Sequence, residues 1–371
     1  MKKRPFVYLI LALILAFGSC NDPIFYMIAN EMPIAKPLIG GSPTNFVEYG
    51  GNLYVASGSK IYSYNGNRWD AISSPGGRVV QLAATTNNLY ALYLKGSGSE
   101  TRHVAYSNGG NWNWTDININ DAVTIFAANT NNVLFICAGN GDVNGNTIYY
   151  SQNNGSPSPI SGTSDTSILS GVAYNGTDYF LCTKNDGIFH APGTPGTAAP
   201  VSGSSSVEFT GIIRLGTTTS VVAISRDGNL YSVSTATIGD SIASFSDNRL
   251  SNGGLAIWTD PATPTNKLLL AGRQDISYST VSGYTYGYME LKLNSSGGIE
   301  TGENFVEPGK GSFSTVSDFD RYVSTIGKNP VNHIFQTPSS IDTKMTLFAS
   351  TQKNGVWSYR DSESHWNTVV E

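Results

Sequence analysis

Short apolar runs, each opened by an amide or turn residue, recur along the whole chain: Asn52-Leu53-Tyr54-Val55-Ala56, Asn88-Leu89-Tyr90-Ala91-Leu92, Val133-Leu134-Phe135-Ile136-Cys137, Asp178-Tyr179-Phe180-Leu181-Cys182 and Thr346-Leu347-Phe348-Ala349-Ser350. A turn and a second run follow each, as in Lys60-Ile61-Tyr62-Ser63-Tyr64, Thr147-Ile148-Tyr149-Tyr150-Ser151, Gly187-Ile188-Phe189-His190-Ala191 and Gly355-Val356-Trp357-Ser358-Tyr359. Runs of this length, rich in aromatic and β-branched residues and bounded by turn residues, predict strands. The aliphatic anchors Ile61, Val104, Ile148, Ile188 and Leu230 stand about 40 to 44 residues apart, the period of a four-stranded propeller blade.

The connectors agree with antiparallel hairpins, because Asn185-Asp186-Gly187, Asp227-Gly228 and Lys353-Asn354-Gly355 supply the residues that tolerate positive φ in tight turns. A blade is predicted to run from an inner strand such as Val79 to Thr85, through the two signature strands, to an outer strand carrying Trp69, Trp112 or Trp366, whose indoles pack between blades. Signature pairs begin near Asn52, Asn88, Val133, Asp178, Ser220, Lys267 and Thr346, which predicts an all-β, seven-bladed β-propeller of four-stranded antiparallel blades. The sixth pair is degenerate, and a long gap, 297–332, separates it from the seventh. Six or eight blades are the alternative counts, eight requiring a disguised blade in that gap. Phe319, Tyr322, Val323 and Ile326 follow helical spacing after Ser317 or Asp318, so a short helical insertion is expected before the last blade.

At the N-terminus the pattern changes. Lys2, Lys3 and Arg4 precede an apolar run from Phe6 to Phe17 that ends at Gly18-Ser19-Cys20. A basic head, an apolar segment and small residues before a cut describe an export signal over 1–19; an ordinary secretory signal or an uncleaved anchor are the alternatives. Residues 20–43, with Pro23, Pro33, Pro37 and Pro43, read as a tether, and 44–371 as the propeller. The strands from Ser358 to Val370 are expected to close the ring against the blade starting at Asn45.

Composition narrows the chemistry. Charged residues are 13% of the chain, with 40 glycines and 20 tyrosines, so the surface is solvated by hydroxyls and amides. The net charge is −5 and no basic cluster follows the signal, which argues against nucleic acid. Cys137 and Cys182 hold equivalent small positions in neighbouring repeats, about 10 Å apart if packed as adjacent sheets and too far for a disulfide. They are expected to be free core thiols.

No nucleophile elbow, P-loop, H-E-x-x-H or C-x-x-C is present. His103, His190, His333 and His365 lie in different repeats without ligand spacing. Asp318 and Asp320 are close in sequence, but a pair of acids must flank a bond to hydrolyse it. The one calcium candidate is Asn140, Asp142, Asn144 and Asn146. Its twelfth position is Ser151 where a bidentate Glu belongs, so a glycine-rich hairpin turn is the stronger reading. No cofactor is expected.

Gly18-Ser19-Cys20 resembles the lipobox of bacterial lipoproteins, which implies a lipidated mature N-terminus at Cys20. With the aromatic repeats and the ending Phe348-Ala349-Ser350-Thr351-Gln352-Lys353-Asn354-Gly355-Val356-Trp357-Ser358-Tyr359, the chain resembles β-propeller lipoproteins of bacteria, notably spirochaetes. That resemblance implies a protein anchored by lipid to the cell envelope, periplasmic or at the cell surface; a monomer is expected. The function expected is non-enzymatic: a scaffold whose loops bind a protein or glycan. The rival is a carbohydrate-active hydrolase or lyase with its site in the central funnel. An enzyme should gather carboxylates with Arg or His on one face of the inner loops, and a platform should not. The acidic and aromatic stretch holding Glu300, Glu303, Glu307, Asp318, Asp320 and Tyr322 is the expected recognition surface. The structural alternative is that Phe319, Tyr322 and Ile326 plug the joint between the sixth and seventh blades.

Overall fold

The structure, a computed structural model, describes residues 37–96, 101–128, 132–139, 145–216, 219–244, 250–273, 287–300, 302–306, 326, 329–359 and 366–369. It is a seven-bladed propeller; among the described residues six sheets have four antiparallel strands and that of the sixth blade has three. The inner strands are Val47–Tyr49, Arg78–Ala84, Ala122–Ala128, Leu169–Tyr174, Phe209–Arg214, Leu250–Thr259 and Val331–Gln336. The first signature runs form the second strands and the second runs the third. In blade 4, for instance, Tyr179–Thr183 pairs on one side with the inner strand and on the other with Ile188–Ala191.

The apolar faces explain the ring. A blade buried on both faces has near-continuous apolar strands, as Val133–Ala138 and Leu347–Thr351 are, buried at every position. The core accordingly divides into seven clusters, one at each joint between neighbouring blades. Trp366 packs on Tyr288 and Tyr359 between blades 6 and 7, and Trp69 on Phe348 between blades 7 and 1. Trp112, outside any strand, contacts Tyr54. Many of the tyrosines are core residues with a polar end: the Tyr93 hydroxyl donates to Asp116 Oδ1 at 2.6 Å and Tyr90 to Asn154 Oδ1 at 2.6 Å. Cys137 and Cys182 are both free and buried, and burial pushes both thiols up, Cys182 to about 12.

Two boundaries differ from the sequence reading. The compact unit starts at Pro37, not at position 44. Leu38 N–H donates to Val369 O (2.9 Å), Val356 N–H to Ile39 O (3.0 Å) and Gly355 N–H to Gly41 O (2.9 Å), and Ile39 is fully buried. The proline-rich composition of 20–43 reads as a tether; residues 20–36 lie outside the described ones, and Leu38, Ile39 and Gly41 are held by a blade from the other end of the chain, a partner that local composition cannot reveal. Likewise, the gap 297–332 is in part blade. Val306 exchanges hydrogen bonds with Glu290 (2.9 and 2.8 Å), Ile299 bridges Leu293, and Phe305 is buried between blades 5 and 6. This stretch borders the sixth blade where a fourth strand would lie, and Val331 already begins the inner strand of blade 7.

Among the described residues there is no α-helix. The helical insertion expected over Val316 to Ile326 is therefore not supported, and its residues 316–325 lie outside the described ones. Ile326 itself is buried between blades 6 and 7. No described helix is long and apolar enough to cross a membrane.

Candidate functional site

Six of the seven inner strands slip register against their neighbours, five by a single residue: Val80, Val123, Ser170, Thr210 and Asn332 stand at the slip. A bulge leaves its extra residue unpaired and re-aims the strand, a device common beside binding sites. Here the slips fall near the inner-strand starts, and Val80, Ser170 and Asn332 line a central cavity of ≈ 800 Å³. The second-to-third-strand turns at Ser57-Gly58 and Lys184 complete its wall.

The inner strands turn an open backbone edge toward the channel, and side chains close it. Asn45 donates to Leu82 O (2.8 Å) and accepts from Leu82 N–H (3.0 Å). Gln81 does the same to Ile125 (2.5 and 3.0 Å), and Gln336 to Thr259 (2.7 and 2.7 Å). Thr124 donates to Leu169 O (2.9 Å) and Ser170 to Phe209 O (2.9 Å). At the closing joint Phe46 N–H donates to His333 Nδ1 (3.3 Å). Among the described residues, six of the seven joints thus carry a polar clasp from one inner strand, or the residues leading into it, to the next. An amide side chain presents one donor and one acceptor, as a neighbouring strand does, so it satisfies edge groups that would otherwise cost about 1–3 kcal/mol each. The amides that gave the chain its uncharged composition are in part ring fasteners.

The titratable residues lining the cavity are Arg78, exposed at the rim, Lys184, half-buried in the wall, and His333. No Asp or Glu is among the described lining residues. Burial holds Lys184 below its usual range and His333 down at about 4, so His333 is neutral at pH 7. The carboxylate nearest Lys184 in sequence, Asp186, accepts instead from the Thr166 and Ser167 hydroxyls (2.7 and 2.9 Å). The apolar part of the lining includes Val79, Phe126, Leu169, Val172, Ile213 and Leu255.

The residues expected to form sites fall elsewhere. Glu300 and Glu303 are half-buried beside blade 6, joined by a turn hydrogen bond of 3.2 Å, and neither lines the cavity. Glu307, Asp318, Asp320 and Tyr322 lie outside the described residues, as do Asn140, Asp142 and Asn144 of the calcium candidate. Asn146 is buried, its N–H donating to Asp165 O at 2.7 Å. No group of three or more His, Cys, Asp or Glu suited to a metal occurs among the described residues. His190 sits 3.5 Å from Asp178 and His103 2.8 Å from the Thr101 hydroxyl, both away from the funnel. Sequence reasoning missed Lys184, Arg78 and the clasps. The Thr183-to-Gly187 turn was legible, but nothing in one repeat tells which turns share a cavity.

The fold recurs in solved structures of low identity. The chain is similar to YCF48 bound to D1 peptide, with a TM-score of 0.51 and 12% identity over 88% of this chain and 94% of that one. It is similar to YCF48 from Cyanidioschyzon merolae at 0.52 and 13%, over 88% and 97%. An ancestral GH74 enzyme aligns at 0.58 and 16%, over 90% of this chain but only 47% of its own. At such identities the likeness is one of fold. No curated protein matches the chain in sequence. A family model does, across residues 8–354, from within the apolar N-terminal run to the turn between the second and third strands of blade 7, and by that match the chain belongs to the TP013X lipoprotein family.

Proposed function

We propose that the protein is a lipid-anchored, non-enzymatic binding platform of a bacterial, spirochaete-type envelope. A monomeric disc, tethered through Cys20, holds a partner protein at the funnel face. The observation that carries this reading is the funnel lining: apolar and amide side chains with two cations and, among the described residues, no carboxylate. Glycoside hydrolysis uses a pair of acids about the scissile bond, so the GH74 likeness gives the hydrolase alternative no support beyond the fold. That a propeller of the same architecture was solved with a peptide bound supports a polypeptide partner. Loops and strand ends carried by a rigid scaffold are where binding residues concentrate. Glu300 and Glu303, away from the funnel, would form a second contact, and Glu→Gln changes there should leave funnel binding unchanged.

Two variants test this. Cys20→Ser should move the protein from the detergent phase to the aqueous phase of a partition; unaltered membrane retention would remove the anchor. Asn332→Trp, which fills the funnel at an inner-strand slip, should abolish capture of the partner by the immobilised chain while far-UV circular dichroism stays that of the parent. Release of sugar from a polysaccharide, lost in the same variant, would instead make the funnel a hydrolase site.

A further inference from the structure

We propose that the funnel takes an acidic peptide segment bearing apolar side chains, its carboxylates meeting Lys184 in the wall and Arg78 at the rim. The proposal rests on the platform reading and assigns its ligand class. Three observations support it. The charge balance of the cavity is the reverse of the chain's: acids outnumber bases 27 to 22 overall, whereas the described lining holds Arg78 and Lys184 and no acid. A half-buried ammonium is costly unless an anion offsets the lost hydration, and among the described residues no ion pair joins Lys184 to a carboxylate; the nearest one in sequence is engaged by two hydroxyls. Burial accordingly depresses the Lys184 ammonium, and an anion entering the funnel would reverse that shift.

The remaining lining decides between a peptide and an acidic glycan. Sugars are held on aromatic faces with dense polar contacts, but Phe126 and the half-buried His333 are the only aromatic rings among the described lining residues, and the apolar lining is otherwise aliphatic. Aliphatic walls with two cations suit alternating acidic and apolar side chains. A volume of ≈ 800 Å³ admits a short segment and not a folded domain.

The test uses the soluble Cys20→Ser chain and fluorescence anisotropy with three probes: a short labelled peptide of alternating glutamate and leucine, its glutamine counterpart, and a heparin-derived oligosaccharide. The glutamate peptide should bind saturably and weaken with added salt, and the glutamine peptide should not bind. Lys184→Gln and Arg78→Gln should each weaken binding about tenfold or more, the loss of one charge-assisted contact, and Lys184→Arg should restore most of it. The thermal midpoint of Lys184→Gln should be unchanged or higher, because a lysine kept for structure would lower it on removal. Should Lys184→Gln fail to fold, Arg78→Gln, on an exposed rim residue, carries the test alone. Equal binding of both peptides, binding unmoved by the variants, or saturable binding of the oligosaccharide alone would overturn the proposal. If the glutamate peptide fails while Asn332→Trp still blocks partner capture, the ligand class falls and the platform stands.

Discussion

Gly355→Ala is expected to lower the midpoint of urea unfolding far more than Gly51→Ala does. The two glycines share a φ of +76°, so the conformational strain of adding a methyl group is alike, about 1–2 kcal/mol. Their surroundings differ. A Cβ at Gly51 meets nothing within 4 Å, whereas at Gly355 it would lie 2.2 Å from the Ile39 carbonyl oxygen, which accepts the Val356 N–H. Relieving that overlap means withdrawing the segment Leu38–Gly41 from blade 7, with the burial of Ile39 and three backbone hydrogen bonds. Gly66, φ +92°, stands in the same relation to the Ile341 carbonyl at 2.1 Å, so two glycines guard the joint where the ends of the propeller meet. A loss of about 3 kcal/mol or more is expected at Gly355. Equal midpoints for Gly355→Ala and Gly51→Ala would show that the N-terminal segment does not fasten the ring.

Acid should open the same joint. His333 accepts the Phe46 N–H through Nδ1, packs near the Phe46 ring with centroids 6.0 Å apart, and stays neutral down to about 4 because burial penalises its charged form. In the unfolded chain it titrates near 6.5. Between those values the unfolded state takes up a proton that the folded state refuses, so stability is full above pH 6.5, falls as pH drops toward 4, and levels off below. The slope is about 1.4 kcal/mol per pH unit and the total at most about 4 kcal/mol, an upper bound because the ring is open on one side to the funnel. His333→Asn, with an amide oxygen to accept from Phe46 and no proton to gain, should flatten the difference between unfolding free energies at pH 7 and pH 4.5. Parallel curves for parent and variant would mean that carboxylates elsewhere set the acid sensitivity.

The repeat was legible because a strand buried on both faces must be apolar throughout, and the runs at Val133, Tyr179 and Leu347 announce themselves. The turns were legible through Gly187, Gly228 and Gly355, each at positive φ. What stayed hidden was whatever depends on a partner distant in sequence. Ile39 looks like tether until its carbonyl is seen against Gly355. Ile299 and Val306 look like insertion because they touch blade 6 at isolated bridges and not in a periodic ladder. Asn45, Gln81 and Gln336 read as ordinary polar residues, since an amide facing a neighbouring backbone carries no local signal. The funnel cations were hidden for the same reason, Lys184 and Arg78 being contributed by different blades.

The central claim, that the funnel is where the partner is held, is tested most directly by a small aliphatic diazirine amino acid, close to asparagine in size and so unlike the blocking indole, placed at Asn332 in the funnel, or at Ile242 on the exposed outer strand of blade 5. In the anchored protein, irradiated in intact envelopes, the Asn332 position should yield a discrete protein adduct that Lys184→Gln diminishes, and the Ile242 position none. A discrete adduct from Ile242 with none from Asn332 would contradict the account.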